Sequence, residues 1–166
     1  MLPRDRVLTT LRHEEPDIVP WGEHSIDHNI YEMTLGRETW VAAKFRETQA
    51  MWDGRRDEIV ASYKRDVPDL VEALGMDIVT VGTNPPAGYH PEAFEKLDDV
   101  TYRDPWGNLL RVSSATEQLM PYKVQTDGYE PPTVAELQEQ IDRLEAEPPT
   151  KPDDSCWEVM RHVVAE

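Results

Sequence analysis

The run Met76-Asp77-Ile78-Val79-Thr80-Val81 restricts the fold of this chain more than any other segment. It is short, β-branched and apolar without alternation. That pattern predicts a strand covered on both faces, as in a parallel sheet. Ile18-Val19-Pro20-Trp21 is the second strand candidate, and Pro20 places it at a strand end because proline cannot donate to a ladder. Helix, strand and loop alternate around these two runs, so the fold class is α/β. Only two strands of the buried parallel kind are found, which leaves the apolar helix faces with too little sheet to cover.

The helical segments follow from spacing and caps. Pro3 to Glu14 predicts a short helix with Val7, Leu8 and Leu11 on one face and Pro3 in its first turn. Ser25 is the expected cap of a helix that Gly36 ends. A third helix is expected from Glu38 to Trp52, with Trp40, Val41, Phe45, Thr48 and Trp52 inward, and a fourth from Arg56. Asp66 is read as a fresh cap that puts Pro68 in a first turn, with Gly75 as the stop. Val100–Arg103 and Leu109–Ser113 predict a β-hairpin around Asp104-Pro105-Trp106-Gly107-Asn108. Thr133 and Glu136 form a capping box for a helix carrying Val134, Leu137, Ile141 and Leu144. After the prolines 148, 149 and 152, Ser155 is the expected cap of a last helix with Val159 and Val163 inward.

Composition removes several function classes. The formal charge of −16 repels phosphate backbones and argues against nucleic-acid binding. Ten acidic residues lie between Asp127 and Glu158 against Arg143 and Lys151, which reads as a solvated acidic face. No apolar run approaches the roughly 18 residues of a membrane span, and the opening lacks an apolar signal core, so a cytoplasmic location is expected. Cys156 is the only cysteine, which excludes an internal disulfide, and no base is identifiable beside it.

Pro3-Arg4-Asp5-Arg6-Val7-Leu8, followed by Leu11-Arg12-His13-Glu14-Glu15-Pro16-Asp17 and Val19-Pro20-Trp21, resembles the start of uroporphyrinogen decarboxylase-superfamily proteins. Leu74-Gly75-Met76-Asp77 entering Ile78-Val79-Thr80-Val81-Gly82 is similar to that superfamily's next barrel strand. Tyr102-Arg103-Asp104-Pro105-Trp106-Gly107-Asn108 is similar to a hairpin of its corrinoid methyltransferase-like branch. The resemblance implies the N-terminal part of a TIM (β/α)8 barrel, incomplete, with N-terminal helices and an inserted β-hairpin. A whole barrel needs eight strands and about 250 residues. Residues 1–166 are thus expected to form a single partial barrel domain: 1–75 helical with the first strand, 76–126 the second strand and hairpin, and 127–166 an acidic helical segment.

The resemblance also implies a choice of chemistry. Decarboxylases of the superfamily carry an arginine-rich segment after the first strand, where this chain has Gly22-Glu23-His24-Ser25-Ile26-Asp27-His28. They place an essential aspartate past the second strand, where Thr83 and Asn84 stand here. The missing guanidinium donors and the missing anion favour the corrinoid- or thiol-dependent methyltransferase-like branch. The alternatives are uroporphyrinogen decarboxylation itself, a lyase step of porphyrin biosynthesis, and a non-enzymatic half-barrel that dimerises through its apolar helix faces or binds a partner. In the methyltransferase branch, zinc keeps a thiol deprotonated and a corrinoid carries the methyl group. The zinc ligands of those relatives lie in the C-terminal half. This chain is therefore expected to hold no cofactor and to be inactive alone, while the complete parent would use zinc and a corrinoid-protein or small-molecule substrate.

Four residues are the substrate-binding candidates. Trp21, Glu23 and His24 follow the C-terminal end of one expected barrel strand, and Asn84 follows that of the other, where barrel enzymes build their sites. His24, His28 and Glu32 are spaced i, i+4, i+8, which would line up a divalent-metal site on a continuous helix; a cap at Ser25 breaks that line. Tyr89 and His90 are weaker candidates on a loop. Trp106 is expected to pack under the hairpin, Arg103 and Arg111 to pair with acids across it, and Trp40 and Trp52 to lie in the core. His13 and His162 are assigned no chemistry.

Overall fold

The computed structural model describes residues 1–166 apart from Asp127, Tyr129, Pro149 and Glu166. Among the described residues it is a mixed α/β protein with six α-helices and two small sheets. Two compact units are present: Met1–Ala93 with Asp154–Glu166, and Phe94–Asp153.

The first unit is organised by α4 (Arg56–Leu74). Its buried residues Ile59, Val60, Val67 and Leu70 recur at helical spacing and form the face on which the unit packs. Around it stand α1 (Pro3–Leu11), α2 (His28–Leu35), α3 (Phe45–Trp52) and α6 (Glu158–Ala165). Tyr31, Val41, Val67 and Leu70 form the core cluster, with Leu74, Val79 and Val163 packed against it. Two strands, β1 (Gly22–Glu23) and β2 (Ile78–Val79), pair in parallel with Gly22 opposite Ile78 and Glu23 opposite Val79.

The opening segment holds this pair. Arg6 donates to Asp17 at 2.7 Å and also to Asp77. Asp77 accepts from the Trp21 backbone N–H at 3.1 Å, and its own N–H donates to the Trp21 carbonyl at 2.8 Å. The Trp21 indole N–H donates to the Gly75 carbonyl at 3.1 Å. Gly22 is required here, because a Cβ on it would meet the Ile78 carbonyl oxygen at 2.2 Å.

The second unit carries an antiparallel sheet in the order β3 (Glu95–Lys96), β4 (Thr101–Arg103), β5 (Leu109–Val112), β6 (Leu119–Lys123). The predicted hairpin is its centre. Its turn is built as expected: Asp104 accepts from the N–H groups of Trp106 at 2.9 Å and Asn108 at 2.8 Å, and Gly107 takes φ 87°. Arg103 pairs with Glu95 at 2.7 Å, whereas Arg111 stacks on the Tyr122 ring at 4.0 Å. Helix α5 (Val134–Ala146) starts at the predicted capping box, with both reciprocal bonds formed. Every residue of α5 is exposed, including its stripe of Val134, Leu137, Ile141 and Leu144.

Several sequence expectations are corrected. The second strand is not covered on both faces, since Ile78 is 48% exposed. The first strand pairs at Gly22–Glu23 rather than within Ile18–Trp21, because Asp77 occupies the backbone of Trp21. The first helix stops at Leu11, short of Glu14, with His13 at φ 60°. Asp27 caps α2 in place of Ser25 by accepting from the Asn29 N–H at 3.3 Å. The third helix begins at Phe45, not Glu38. Residues 38–44 are drawn out of helical form because Thr39 turns inward to Asp66, and Ala42 and Lys44 adopt φ 54° and 57°.

Asp66 is not a cap: α4 runs through Pro68 without a break. An interior proline costs about 3 kcal/mol, and burial of Val67 and Leu70 on either side offsets it. Ser155 lies in a 3-10 turn (Asp154–Trp157) instead of capping the last helix. Trp106 is 75% exposed rather than packed, and Trp40 is half-buried beneath the guanidiniums of Arg46 and Arg55. Trp52 meets Phe45 edge-on at 5.8 Å.

Candidate functional site

The sequence candidates separate into structural and exposed groups. Trp21 is committed through backbone and indole to Gly75 and Asp77. Glu23 and His24 are exposed, and Glu23 sits in the β1 register opposite Val79. Tyr89 and His90 are also exposed, and His90 Nε2 lies 2.8 Å from the Trp52 carbonyl oxygen. Asn84 does structural work. Its amide donates to the Ser155 carbonyl at 2.8 Å and the Pro85 carbonyl at 3.2 Å, and its Oδ1 accepts from the Val159 N–H at 3.4 Å. It thereby satisfies one of the free N–H groups at the start of α6.

The His24–His28–Glu32 line does not form. Helix α2 begins at His28, which leaves His24 outside it. His28 is buried with Nδ1 3.0 Å from Asp27, and Glu32 accepts from Arg46 at 3.2 Å. Among the described residues no group of three or more His, Cys, Asp or Glu is placed to hold a metal ion. Cys156 is half-buried, and its carbonyl accepts from the Asn84 N–H at 3.0 Å. No helix among the described residues is long and apolar enough to cross a membrane.

The structure does assemble a cavity of about 230 Å³ behind the Gly82–Pro85 loop that leaves β2. Ile59 and Val60 from α4, Val159 from α6 and Pro85 form its apolar wall. Glu47 from α3 and Tyr63 from α4 supply its polar wall, with Thr83 and Asn84 on the loop side. The Tyr63 hydroxyl donates to the Glu47 carboxylate at 3.2 Å and accepts from the Ala42 N–H at 3.2 Å. Burial raises the Glu47 carboxyl above its ordinary value, and the bonds from Tyr63 and the Ala43 backbone only partly oppose this. Burial, then the neighbouring Glu47 charge, pushes the Tyr63 hydroxyl up as well.

Arg56 anchors this wall from behind. It is buried, donates to the Pro85 carbonyl at 2.9 Å and meets Glu158 at 2.5 Å. Lys64 joins Glu158 at 2.8 Å, and these two cations lower the Glu158 carboxyl. The loop after β2 and the start of α6 are therefore tied to one face of α4.

A carboxyl displaced from its ordinary range by burial, set in a concave and largely apolar cavity, marks a functional-site candidate. Of its polar groups, sequence reasoning reached Asn84 and Thr83 but not Glu47 or Tyr63. Glu47 lies off the apolar stripe expected for its helix, and Tyr63 stands on another helix sixteen residues on, so their meeting depends on how α3 packs against α4. Comparison with protein-family models, with curated proteins and with solved structures finds no match to this chain.

Proposed function

We propose that this chain forms the front of an α/β-barrel enzyme of the uroporphyrinogen decarboxylase superfamily, of the corrinoid- or thiol-dependent methyltransferase-like kind, and that it is not a catalyst alone. One observation carries the barrel reading. The parallel pair β1·β2 borders an apolar trough of about 860 Å³ lined by Leu2, Val7, Leu8, Ile78, Val81 and Val164, among others. Two adjacent parallel strands joined through helices are the repeating unit of a barrel wall. An apolar trough beside them is what further strands and helices would fill. The opening motif gains a physical role in this reading, since Arg6, Asp17, Trp21 and Asp77 lock the two strands together.

In this reading the cavity behind Gly82–Pro85 is the chain's contribution to substrate contact, because it opens at the C-terminal end of β2, where barrel enzymes place their chemistry. Glu23 and His24 leave the C-terminal end of β1 on the same principle. Asn84 supports the loop instead of carrying the anionic role of a decarboxylase aspartate. Among the described residues no group of His, Cys, Asp or Glu forms a donor set for zinc.

The test is methyl transfer by the product of the whole reading frame that contains this chain, supplied with zinc, methylcobalamin and a small thiol. Loss of the methyl–cobalt absorbance with formation of the thioether is expected, and none from the chain alone. Decarboxylation of uroporphyrinogen in its place would transfer the assignment to the lyase. Neither activity, together with a 166-residue chain whose trough is sealed by a second copy in solution, would replace the enzyme reading by a dimerising half-barrel.

A further inference from the structure

Among the described residues, every buried or half-buried carboxylate of the first unit meets a cation, with one exception. Asp66 is met by Arg37 and Arg65, Asp69 by Arg37, Asp77 by Arg6, Glu158 by Arg56 and Lys64, and Glu32 by Arg46. Glu47 is half-buried and accepts only from the Tyr63 hydroxyl and the Ala43 backbone; no cation among the described residues pairs with it. A carboxylate taken partly out of water without a counter-charge is unfavourable. The fold nevertheless places it on the wall of a cavity.

The other walls narrow the class of occupant. Ile59, Val60 and Val159 are almost fully buried and present only hydrocarbon. The Asn84 amide is spent on the Ser155 and Pro85 carbonyls, so it has no donor left for a ligand. With the Asn84 donors spent, the one charged side chain on the cavity wall is the Glu47 carboxylate, beside the Tyr63 and Thr83 hydroxyls. An anion would be repelled there, and a purely apolar molecule would leave the carboxylate without a partner. At about 230 Å³ the space lies below the ~300 Å³ where sites for drug-sized ligands begin.

We propose that this cavity binds a small primary alkylammonium ion, with its ammonium group on the Glu47 carboxylate and the Tyr63 hydroxyl oxygen and its alkyl chain against Ile59, Val60 and Val159. As the substrate class of the enzyme it rests on the reading above; as a binding site of this chain it does not. The two can therefore fail separately: a folded chain that binds the ammonium ion while the full product transfers no methyl group retains the site and loses the enzyme.

The experiment titrates the 166-residue chain with n-butylammonium chloride, n-butanol and sodium butyrate at neutral pH, followed by calorimetry and by NMR of the Tyr63 ring. The ammonium ion should saturate one site, the alcohol should bind roughly tenfold more weakly or worse, as expected when a charged hydrogen bond is lost, and butyrate should not bind. Glu47→Gln should bring the ammonium ion down to the level of the alcohol, while Tyr63→Phe should weaken it by a smaller factor. Equal binding of alcohol and ammonium, preference for butyrate, or no saturable binding to the folded chain would overturn the proposal. The three-ligand series on the unaltered protein decides the matter even if Glu47→Gln does not fold.

Discussion

Replacing Asp66 with asparagine removes the charge at the centre of the α4 network while keeping its shape. Asp66 has 0% exposure and accepts six hydrogen bonds: two from Arg37 at 2.9 and 2.7 Å, two from Arg65 at 2.7 and 2.8 Å, and one each from Ser62 at 2.6 Å and Thr39 at 2.8 Å. The asparagine amide would aim its own N–H groups at donors. Breaking a buried charge pair costs about 3–5 kcal/mol when the orphaned charge stays buried. Here the orphans are Arg37 and Arg65, whose side chains are 37% and 54% exposed and can return to water. The expected cost of Asp66→Asn is therefore lower, about 2–3 kcal/mol.

The converse variant, Arg37→Met with Arg65→Met, strands the carboxylate where no water reaches it and should cost more, about 3–5 kcal/mol. Urea unfolding followed by tryptophan fluorescence measures both, in a Trp106→Phe background so that the signal comes from Trp21, Trp40, Trp52 and Trp157 of the first unit. The pH dependence supplies a second check. Burial alone would raise the Asp66 carboxyl, but the bonds from Arg65, Ser62, Arg37 and Thr39 outweigh it and hold it well below its ordinary 3.8. The stability this group contributes is present above pH 3.8 and drains away as pH falls through the depressed value. The gap between wild type and Asp66→Asn should accordingly narrow below pH 3.8. A cost under about 0.5 kcal/mol, or an asparagine variant worse than the double arginine variant, would refute the reasoning.

Three further outcomes follow from the same contacts. Asn84→Ala removes the bonds to Ser155 and Val159 and should cost about 1–2 kcal/mol, read by urea unfolding, with faster amide exchange at the start of α6. Gly22→Ala drives a Cβ to 2.2 Å from the Ile78 carbonyl oxygen, a backbone atom that cannot swing aside, so the strands must part; about 1–3 kcal/mol is expected, with loss of exchange protection across β1·β2. Because the Glu47 carboxyl is raised in the fold, its ionisation works against folding as pH climbs above the ordinary 4.5, so Glu47→Gln should melt higher than wild type at neutral pH and lose that advantage below pH 4.5 in a thermal-melt series.

What the sequence determined by itself lies within a few residues of chain. Thr133 and Glu136 specify the start of α5 because both partners of the capping box are three residues apart. Gly36 and Gly75 end α2 and α4 because each takes a positive φ that glycine adopts without strain. Asp104 and Gly107 build the hairpin turn from their own neighbours. Of the two parallel strands, Ile78–Val79 was legible inside its apolar run, whereas the first forms at Gly22–Glu23, just past the run Ile18–Trp21.

The tertiary structure decided whatever depends on groups far apart in the chain. Asp66 reads locally as a cap, and becomes a buried anion only because Arg37 and Thr39 arrive from the loop after α2. Asn84 reads as a substrate contact, yet Ser155 and Val159, more than seventy residues on, claim its amide. Glu47 and Tyr63 share one cavity wall only because α3 packs against α4 beside the loop that follows β2. Local sequence sets the dihedral angles and caps of each element. The environment of a charge is set by what packs over it, and spacing along one segment carries no record of that.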